Sequence, residues 1–221
     1  MSIRIPTLCG LVILFAAPAL AQVLVQTDPL TVTMDTTALM GSQAGPFYLG
    51  FQLADGSLTG DGNNAAVVSN IEFAGGGVPF PPSCAATGLG SSGDLSSSIT
   101  LTDLGSLSYC YQEFYPGTTV IFNLSYTNNL DPAGPPDEFV IVILDRNYQP
   151  IPTTGGIALL QIDFNSANPN VQKFAGDPTQ PEAANGGFGI AIPAPVVSGF
   201  LPSAPALVSP ANGSPRRSPC Q

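Results

Sequence analysis

The sequence predicts an all-β protein in which two antiparallel sheets pack face to face as a jelly-roll-like β-sandwich. Helical patterning is nearly absent from the 221 residues. Short runs of alternating apolar and polar residues are separated by glycine, proline, asparagine and aspartate, which is the pattern of half-buried strands and tight turns. About nine or ten such runs follow one another at regular spacing, which is typical of a sandwich or a barrel.

Five of these runs alternate regularly enough to give each predicted strand two distinct faces. They cover residues 47–53, 67–73, 95–102, 120–126 and 160–165. In the second run, the odd-numbered residues are expected to share one face. The run FVIVIL at 139–144 is apolar on both faces, which predicts a central strand covered on both sides. Further strands are expected within residues 23–34, 107–115 and 188–192.

The chain begins with the three parts of a secretory signal peptide. Arg4 precedes an apolar run of about ten residues, which is too short for a membrane-spanning helix of roughly 20 residues. Ala19-Leu20-Ala21 is an A-x-A cleavage site. We therefore expect residues 1–21 to be removed, a secreted or extracellular location, and no membrane span in the mature chain.

The mature chain is expected to fold as one sandwich domain over residues 22–192, a length that can bury a substantial core. Seven prolines follow between Pro193 and the last residue. Because proline lacks an N–H donor and fixes φ, it is excluded from the interior of a sheet. Residues 193–221 are therefore predicted to form an extended, disordered tail.

Charge and composition exclude several classes of function. The chain has 15 acidic residues, five basic residues and no histidine, and its net charge is −10 at pH 7. Nucleic acid is an unfavourable partner, because Lys and Arg supply most of the affinity for phosphates. Without histidine, the commonest general base and the commonest nitrogen ligand for metals are missing. The acidity is compatible with a divalent cation, and also with a solvated surface that binds nothing.

Two of the four cysteines, Cys84 and Cys110, lie in the predicted domain. Export places them in an oxidising compartment, so we expect a disulfide between them. Cys9 belongs to the signal peptide. Cys220 lies in the predicted tail, where a free thiol and a link to a partner are both open alternatives.

The sequence offers no convincing catalytic motif. GLGSSG at 88–93 lacks the preceding strand and following helix that a dinucleotide-binding loop requires, and no G-x-S-x-G elbow occurs. We therefore expect no enzyme. A glycosidase-like pair of carboxyl groups is the remaining catalytic hypothesis, because Asp163 and the loop aspartates are free to converge.

The stretch DGSLTGDGNN at 55–64 combines the residues of a sharp turn with those of a cation site. Gly, Asn and Asp suit a tight connection between strands. The same oxygens suit Ca²⁺, although the EF-hand spacing is not met. A second acidic loop at 128–139 can share the cation if the two loops meet. The candidate Ca²⁺ ligands are Asp55, Asp61, Asn63, Asn64, Asp131 and Asp137.

The run SYCYQEFYP places Tyr109, Tyr111 and Tyr115 on one face of a predicted strand. Cys110 and Phe114 fall on the opposite face. Tyrosine rings on a strand can form a platform for sugar rings. Aromatic residues at this spacing more often belong to a hydrophobic core, so a core position is the expectation.

Distinctive stretches run through most of the mature chain, among them GPFYLGFQLADGS, SGDLSSSITLTD, PPDEFVIVILD and GDPTQPEAA. They resemble a group of exported bacterial proteins of unknown function, many of which carry a PEP-CTERM sorting signal and are linked to exopolysaccharide production. The resemblance implies secretion and a β-sandwich, and it carries over no catalytic residue. The chain ends in SPANGSPRRSPCQ, without the Pro-Glu-Pro motif or apolar run of that signal. A released member and a member with an altered C-terminus are the two alternatives.

We therefore expect a secreted, non-catalytic, extracellular or cell-surface protein with a binding or structural role in the exopolysaccharide matrix. Polysaccharide and cell-surface components are the expected partners, and no cofactor is expected unless Ca²⁺ binds. A Ca²⁺-dependent carbohydrate-binding module is the alternative, and a glycosidase-like enzyme is the third hypothesis.

Overall fold

A computed structural model describes residues 29–42, 44–58, 60–80, 83–84, 86–129, 134–164, 170–177 and 194–198. Within these ranges, no helix is long and apolar enough to cross a membrane. The predicted signal peptide, the expected strand at 188–192, Asp131 and Cys220 lie outside them. The described strands are β1 (Leu30–Asp35), β2 (Phe47–Ala54), β3 (Ala65–Ala74), β4 (Val78–Pro79), β5 (Ala86–Thr87), β6 (Ser91–Gly93), β7 (Ser98–Thr102), β8 (Leu107–Tyr115), β9 (Thr119–Tyr126), β10 (Glu138–Leu144), β11 (Leu160–Asp163), β12 (Asn170–Lys173) and β13 (Val196–Ser198).

The strands form two antiparallel sheets, which confirms the predicted sandwich. The first sheet has the order β13-β1-β9-β3-β7-β6. The second sheet has the order β12-β11-β10-β2-β8-β4, and β5 also pairs with β8. A 3₁₀ turn at Thr37–Leu39 is the helical element of the described residues.

Phenylalanine side chains join the two sheets in the core. Phe51 of the second sheet contacts Phe122 of the first sheet edge to face, with ring centroids 5.4 Å apart. Phe139 lies beside Phe51 at 6.3 Å, and all three rings are fully buried. Because each sheet buries one face against the other, inward apolar residues alternate with outward residues along each strand. This is the alternation from which the sequence predicts these strands.

The central strand β10 is buried on both faces, as its sequence predicts. Its inward residues belong to the core between the sheets. Val140, Val142 and Leu144 lie on the other side, where they form a smaller apolar cluster with Tyr48 and Ala158. The outer face of the second sheet is therefore partly apolar.

Strand β3 changes face part-way along its length. Ala66 and Val68 point into the core. The register against β9 then shifts around Asn70, which has a positive φ of 51°. Beyond this bulge, Ile71 and Phe73 pack against the core instead. The prediction that the odd-numbered residues of this strand share one face is wrong, because the bulge breaks the two-residue period.

Strand β7 begins at Ser98, three residues later than predicted. Asp94 forms a turn in which its carboxylate accepts hydrogen bonds from the Ser96 N–H at 2.8 Å and the Ser96 hydroxyl. Leu95 lies in this turn and is nevertheless buried in the core. The apolar pattern therefore identified a core residue but placed it in the wrong local structure.

Strand β13 lies inside the segment predicted as a disordered tail. Val197 pairs opposite Val32, so β13 adds an edge to the first sheet. The predicted domain boundary at residue 192 is wrong for residues 194–198. Proline is excluded from sheet interiors but tolerated next to an edge strand, and no proline falls between Pro195 and Pro202.

The predicted disulfide between Cys84 and Cys110 is confirmed, with the two Cα atoms 5.5 Å apart. Cys110 is a fully buried residue of β8. Cys84 lies in the connection that contains the two-residue strands β4 and β5. The bond therefore ties a segment with little sheet pairing to a central part of the core.

We expect Phe51→Ala to lower the free energy of unfolding by about 3–5 kcal/mol, because the cavity faces rings from both sheets. Guanidinium unfolding measures this change. Leu89→Ala is the control, since Leu89 is 69% exposed and its loss should cost less than about 0.5 kcal/mol. Equal losses for both variants would contradict a core built on Phe51.

Candidate functional site

The stretch 55–64 is the connection between β2 and β3, which confirms the predicted turn. It lies against the loop that follows β7, since a Cβ on Gly60 would meet the Leu104 carbonyl oxygen at 2.6 Å. It also contacts the residues before β10 and after β9. We call this assembly the loop junction, and define it as residues 55–58, 60–64, 103–105, 127–129 and 134–137.

Asp55 organises the first turn of the loop junction. Its Oδ1 accepts hydrogen bonds from the Ser57 N–H at 2.7 Å, the Ser57 hydroxyl at 2.7 Å and the Leu58 N–H at 3.1 Å. Its Oδ2 accepts a bond from the Gly60 N–H. Burial acts to raise the pKa of Asp55, but these bonds outweigh it and lower the pKa. Both oxygens therefore hold the turn together.

The side chain of Asn64 lies at the centre of the loop junction and is buried. Its Nδ2 donates to Asp137 Oδ2 at 2.6 Å, to Asn63 Oδ1 at 2.6 Å and to the Asn129 carbonyl at 3.0 Å. Its Oδ1 accepts bonds from the Thr127 hydroxyl at 3.0 Å and the Asn129 N–H at 2.8 Å. One amide therefore connects three separate loops.

Asp137 confirms that the two acidic loops meet. It is fully buried, and its Oδ1 accepts a hydrogen bond from the Gly56 N–H at 2.8 Å. Gly56 approaches so closely that a Cβ would lie 2.0 Å from the Pro135 carbonyl oxygen. Glycine is therefore required at this position by the contact between the loops.

Asp103 belongs to the same cluster, although the sequence did not single it out. It is fully buried, and its Oδ2 accepts a bond from the Asn64 N–H at 2.9 Å. Its Oδ1 has no hydrogen-bond donor. Burial, followed by the charges of Asp137 and Asp61, raises the pKa of Asp103 to about 7 against the bond from Asn64. A lone Asp after a strand carries no sequence signal, which is why pattern analysis missed it.

The predicted Ca²⁺ ligands have different environments. Asp55, Asn63, Asn64 and Asp137 are buried in the loop junction, whereas Asp61 is exposed and accepts two bonds from Asn63. In the described part of the chain, no three Asp, Glu, Cys or His side chains are grouped to hold a metal ion. The Ca²⁺ site stays a prediction.

Tyrosine side chains mark a second candidate site on the outer face of the second sheet. Tyr109 and Tyr111 stack with centroids 5.0 Å apart and an interplanar angle of 28°. Cys110 and Phe114 point into the core on the opposite side, as the alternation predicts. The expectation of a core position holds in part for Tyr111, which packs partly buried against the smaller apolar cluster on this face, and it is wrong for Tyr115, which is 47% exposed.

The ring of Tyr111 is held in a fixed position. It lies over Gly50, where a Cβ would meet Tyr111 Cδ1 at 2.6 Å and Val142 Cγ2 at 2.7 Å. The Gln52 amide donates to the Tyr111 hydroxyl oxygen at 2.5 Å. Burial raises the pKa of Tyr111, which favours the neutral hydroxyl. Gly50 thus makes room for an aromatic ring to lie flat on the sheet.

Polar side chains continue the same face across the sheet. Gln161 Nε2 donates to Glu138 Oε2 at 3.0 Å and to Asp163 Oδ1 at 3.4 Å. Glu138 pairs opposite Asp163 in the strand register. Burial, and then the charge of Asp163, raises the pKa of Glu138. We define the tyrosine face as the set Gln52, Tyr109, Tyr111, Glu138, Gln161 and Asp163.

Comparison of the chain with protein-family models, with curated proteins and with solved structures finds no match. The resemblance to exported PEP-CTERM-type proteins therefore stays a prediction. Any functional assignment has to rest on the loop junction and the tyrosine face themselves.

We expect Asp55→Asn to lower the free energy of unfolding by about 1–2 kcal/mol at pH 6, because the amide cannot replace both acceptor oxygens. The folded-state pKa lies below the ordinary value of 3.8. The contribution of the Asp55 carboxylate to the free energy of unfolding is therefore fully present above the ordinary pKa of 3.8. It is lost as the pH falls through the lower folded-state pKa.

Urea unfolding at pH 6 and at pH 3 measures this difference, with the exposed Glu72→Gln as the control. The difference in the free energy of unfolding between the wild-type protein and Asp55→Asn should be smaller at pH 3 than at pH 6. A difference that is absent at pH 6, or that widens in acid, would contradict the turn-forming role of Asp55.

Proposed function

We propose that the protein is a secreted, non-catalytic binding protein of the exopolysaccharide matrix or cell surface, which binds polysaccharide on the tyrosine face. The observation that carries this proposal is the stacked pair of Tyr109 and Tyr111 on the outer side of a sheet. Tyrosine presents an apolar ring with a polar hydroxyl, which suits the apolar face and the hydroxyl groups of a sugar.

Hydrogen-bonding groups of the right kind surround the rings. Four residues form a row across the strands: Tyr109 lies opposite Gln52, Gln52 opposite Val140, and Val140 opposite Gln161. Amides can both donate to and accept from sugar hydroxyls, whereas carboxylates accept only. A polysaccharide lying across the strands would therefore meet the aromatic pair and Gln52 first, and Gln161 on the far side of the buried Val140.

The rigidity of the face supports binding. Tyr111 is fixed between Gly50, Val142 and the amide of Gln52. A side chain that is already ordered loses little conformational entropy when a ligand binds. Tyr48 of β2 also stacks on Tyr148, which lies in the turn after β10, with centroids 4.3 Å apart. Tyr148 is 46% exposed, so a long chain can extend towards it.

The charge of the face favours a neutral polysaccharide. Glu138 and Asp163 lie on it directly opposite each other. The chain as a whole carries a net charge of −10. Carboxylated or sulfated polysaccharides would be repelled by both the local and the overall charge.

A glycosidase-like activity is favoured by one observation, the facing carboxyl groups of Glu138 and Asp163. The raised pKa of Glu138 is the property expected of a general acid. Both carboxyl groups, however, accept hydrogen bonds from the same Gln161 amide, which favours a fixed polar surface. Hydrolysis of a polysaccharide that Glu138→Gln abolishes would establish the enzyme instead.

A Ca²⁺-dependent carbohydrate-binding module is the nearest alternative. It shares the tyrosine face but requires a bound cation for affinity. Binding that is lost in EDTA and restored by Ca²⁺ would select this alternative over cation-independent binding.

We expect Tyr109→Ala to weaken binding to neutral polysaccharides about tenfold, because stacking on a sugar ring is lost. Affinity electrophoresis and titration calorimetry with a panel of neutral and acidic glycans measure the change. Tyr115→Ala is the matched control, since Tyr115 is 47% exposed at the far end of the same strand. Unchanged affinity of Tyr109→Ala, or no binding to any neutral glycan, would contradict the proposal.

A further inference from the structure

The loop junction concentrates negative charge without a basic side chain. It contains the carboxyl groups of Asp55, Asp61, Asp103 and Asp137. The cationic side chains of the described residues are Arg146 and Lys173. Arg146 contacts the Ala44 carbonyl beyond the other end of β10, and Lys173 lies on β12, three strands away from β2 in the sheet.

The four carboxyl groups differ in how many of their oxygens accept a hydrogen bond. Both oxygens of Asp55, Asp61 and Asp137 accept hydrogen bonds from N–H donors. Asp103 is the exception, because Oδ1 has no donor although the side chain is fully buried. A buried carboxylate oxygen without a partner is costly unless a proton or a cation neutralises it.

The neighbours of Asp103 indicate which ligand fits. Asn64 holds Asp103 and Asp137 at the same time, one through its backbone N–H and the other through its side chain. Asp137 and Asp61 are also the charges that act on Asp103. The two negative groups Asp61 and Asp137 act on a buried, unpaired carboxylate oxygen, and such an environment attracts a hard cation and repels anions.

We propose that Asp103 Oδ1 is a ligand of one Ca²⁺ ion bound in the loop junction. Asp61 is exposed, and its negative charge acts on Asp103, so it strengthens the attraction of the loop junction for the ion. Because no three acidic side chains of the described residues are grouped to hold an ion by themselves, main-chain and amide oxygens and water complete the shell.

This site differs from the one that the sequence predicts. Asp55, Asp61 and Asp137 are not ligands through their side chains, because both carboxylate oxygens of each already accept N–H bonds. Asp103 takes their place, and it comes from the other side of the loop junction, after β7. Ca²⁺ bound there would join the loops that begin β3, β8 and β10.

The experiment compares the full mature chain in EDTA and in 5 mM CaCl₂ by thermal unfolding. We expect Ca²⁺ to raise the melting temperature of the wild-type protein by about 5 °C. Asp103→Asn should lose this rise. Asp94→Asn should keep it, since Asp94 is a turn-forming aspartate whose side chain bonds to Ser96 and Ser97.

A second variant keeps the test decisive if Asp103→Asn does not fold. Asp61 is exposed, so Asp61→Asn should fold, and calorimetry should show one Ca²⁺ bound by the wild-type protein about tenfold more tightly than by this variant. No Ca²⁺ effect on the wild-type protein would overturn the proposal, as would equal effects on Asp103→Asn and the wild-type protein. Stabilisation by lowering the pH from 7.5 to 5.5 in EDTA, without any effect of Ca²⁺, would assign the open oxygen to a proton. None of these readouts involves polysaccharide.

Discussion

The buried amide of Asn64 is the interaction on which the arrangement of this protein depends. Asn64 immediately precedes β3 of the first sheet, and it bonds Asp137, which immediately precedes β10 of the second sheet. The same side chain accepts hydrogen bonds from the Thr127 hydroxyl and the Asn129 N–H, which follow β9. Breaking these bonds would leave buried polar groups without partners, which would lower the free energy of unfolding by about 1–3 kcal/mol for each group. The bonds therefore hold the ends of the two sheets together.

The loop junction and the tyrosine face share this support. Asp137 is buried in the loop junction, and the next residue, Glu138, lies on the tyrosine face. Strand β8, which carries Tyr109 and Tyr111, starts shortly after the loop of Asp103. Aromatic rings bind a sugar well only if the sheet beneath them is rigid. Polar bonds at the end of the sandwich therefore maintain the geometry of an aromatic surface on its side.

Sequence patterns predicted the features that depend on local periodicity, and missed those that depend on contacts between distant segments. The alternating runs gave most strands, and the doubly apolar run at 139–144 gave the central one. The bulge at Asn70 was missed because a single residue with positive φ leaves the composition unchanged. Asp103 was missed because its importance arises only when Asn64, 39 positions away, folds against it. A core position was expected for the tyrosines because aromatic residues at this spacing are usually buried, and the alternation alone does not tell which face of the strand lies inside.

Hydrogen exchange of two backbone amides tests the rigidity of the loop junction most directly. The Gly56 N–H donates to Asp137, and the Asn64 N–H donates to Asp103. If these bonds hold the two sheets together, both amides exchange only when the whole domain unfolds, and their protection equals the free energy of unfolding measured with denaturant. Exchange at the rate of an exposed loop, insensitive to denaturant, would show that the loops open independently and would contradict a rigid junction.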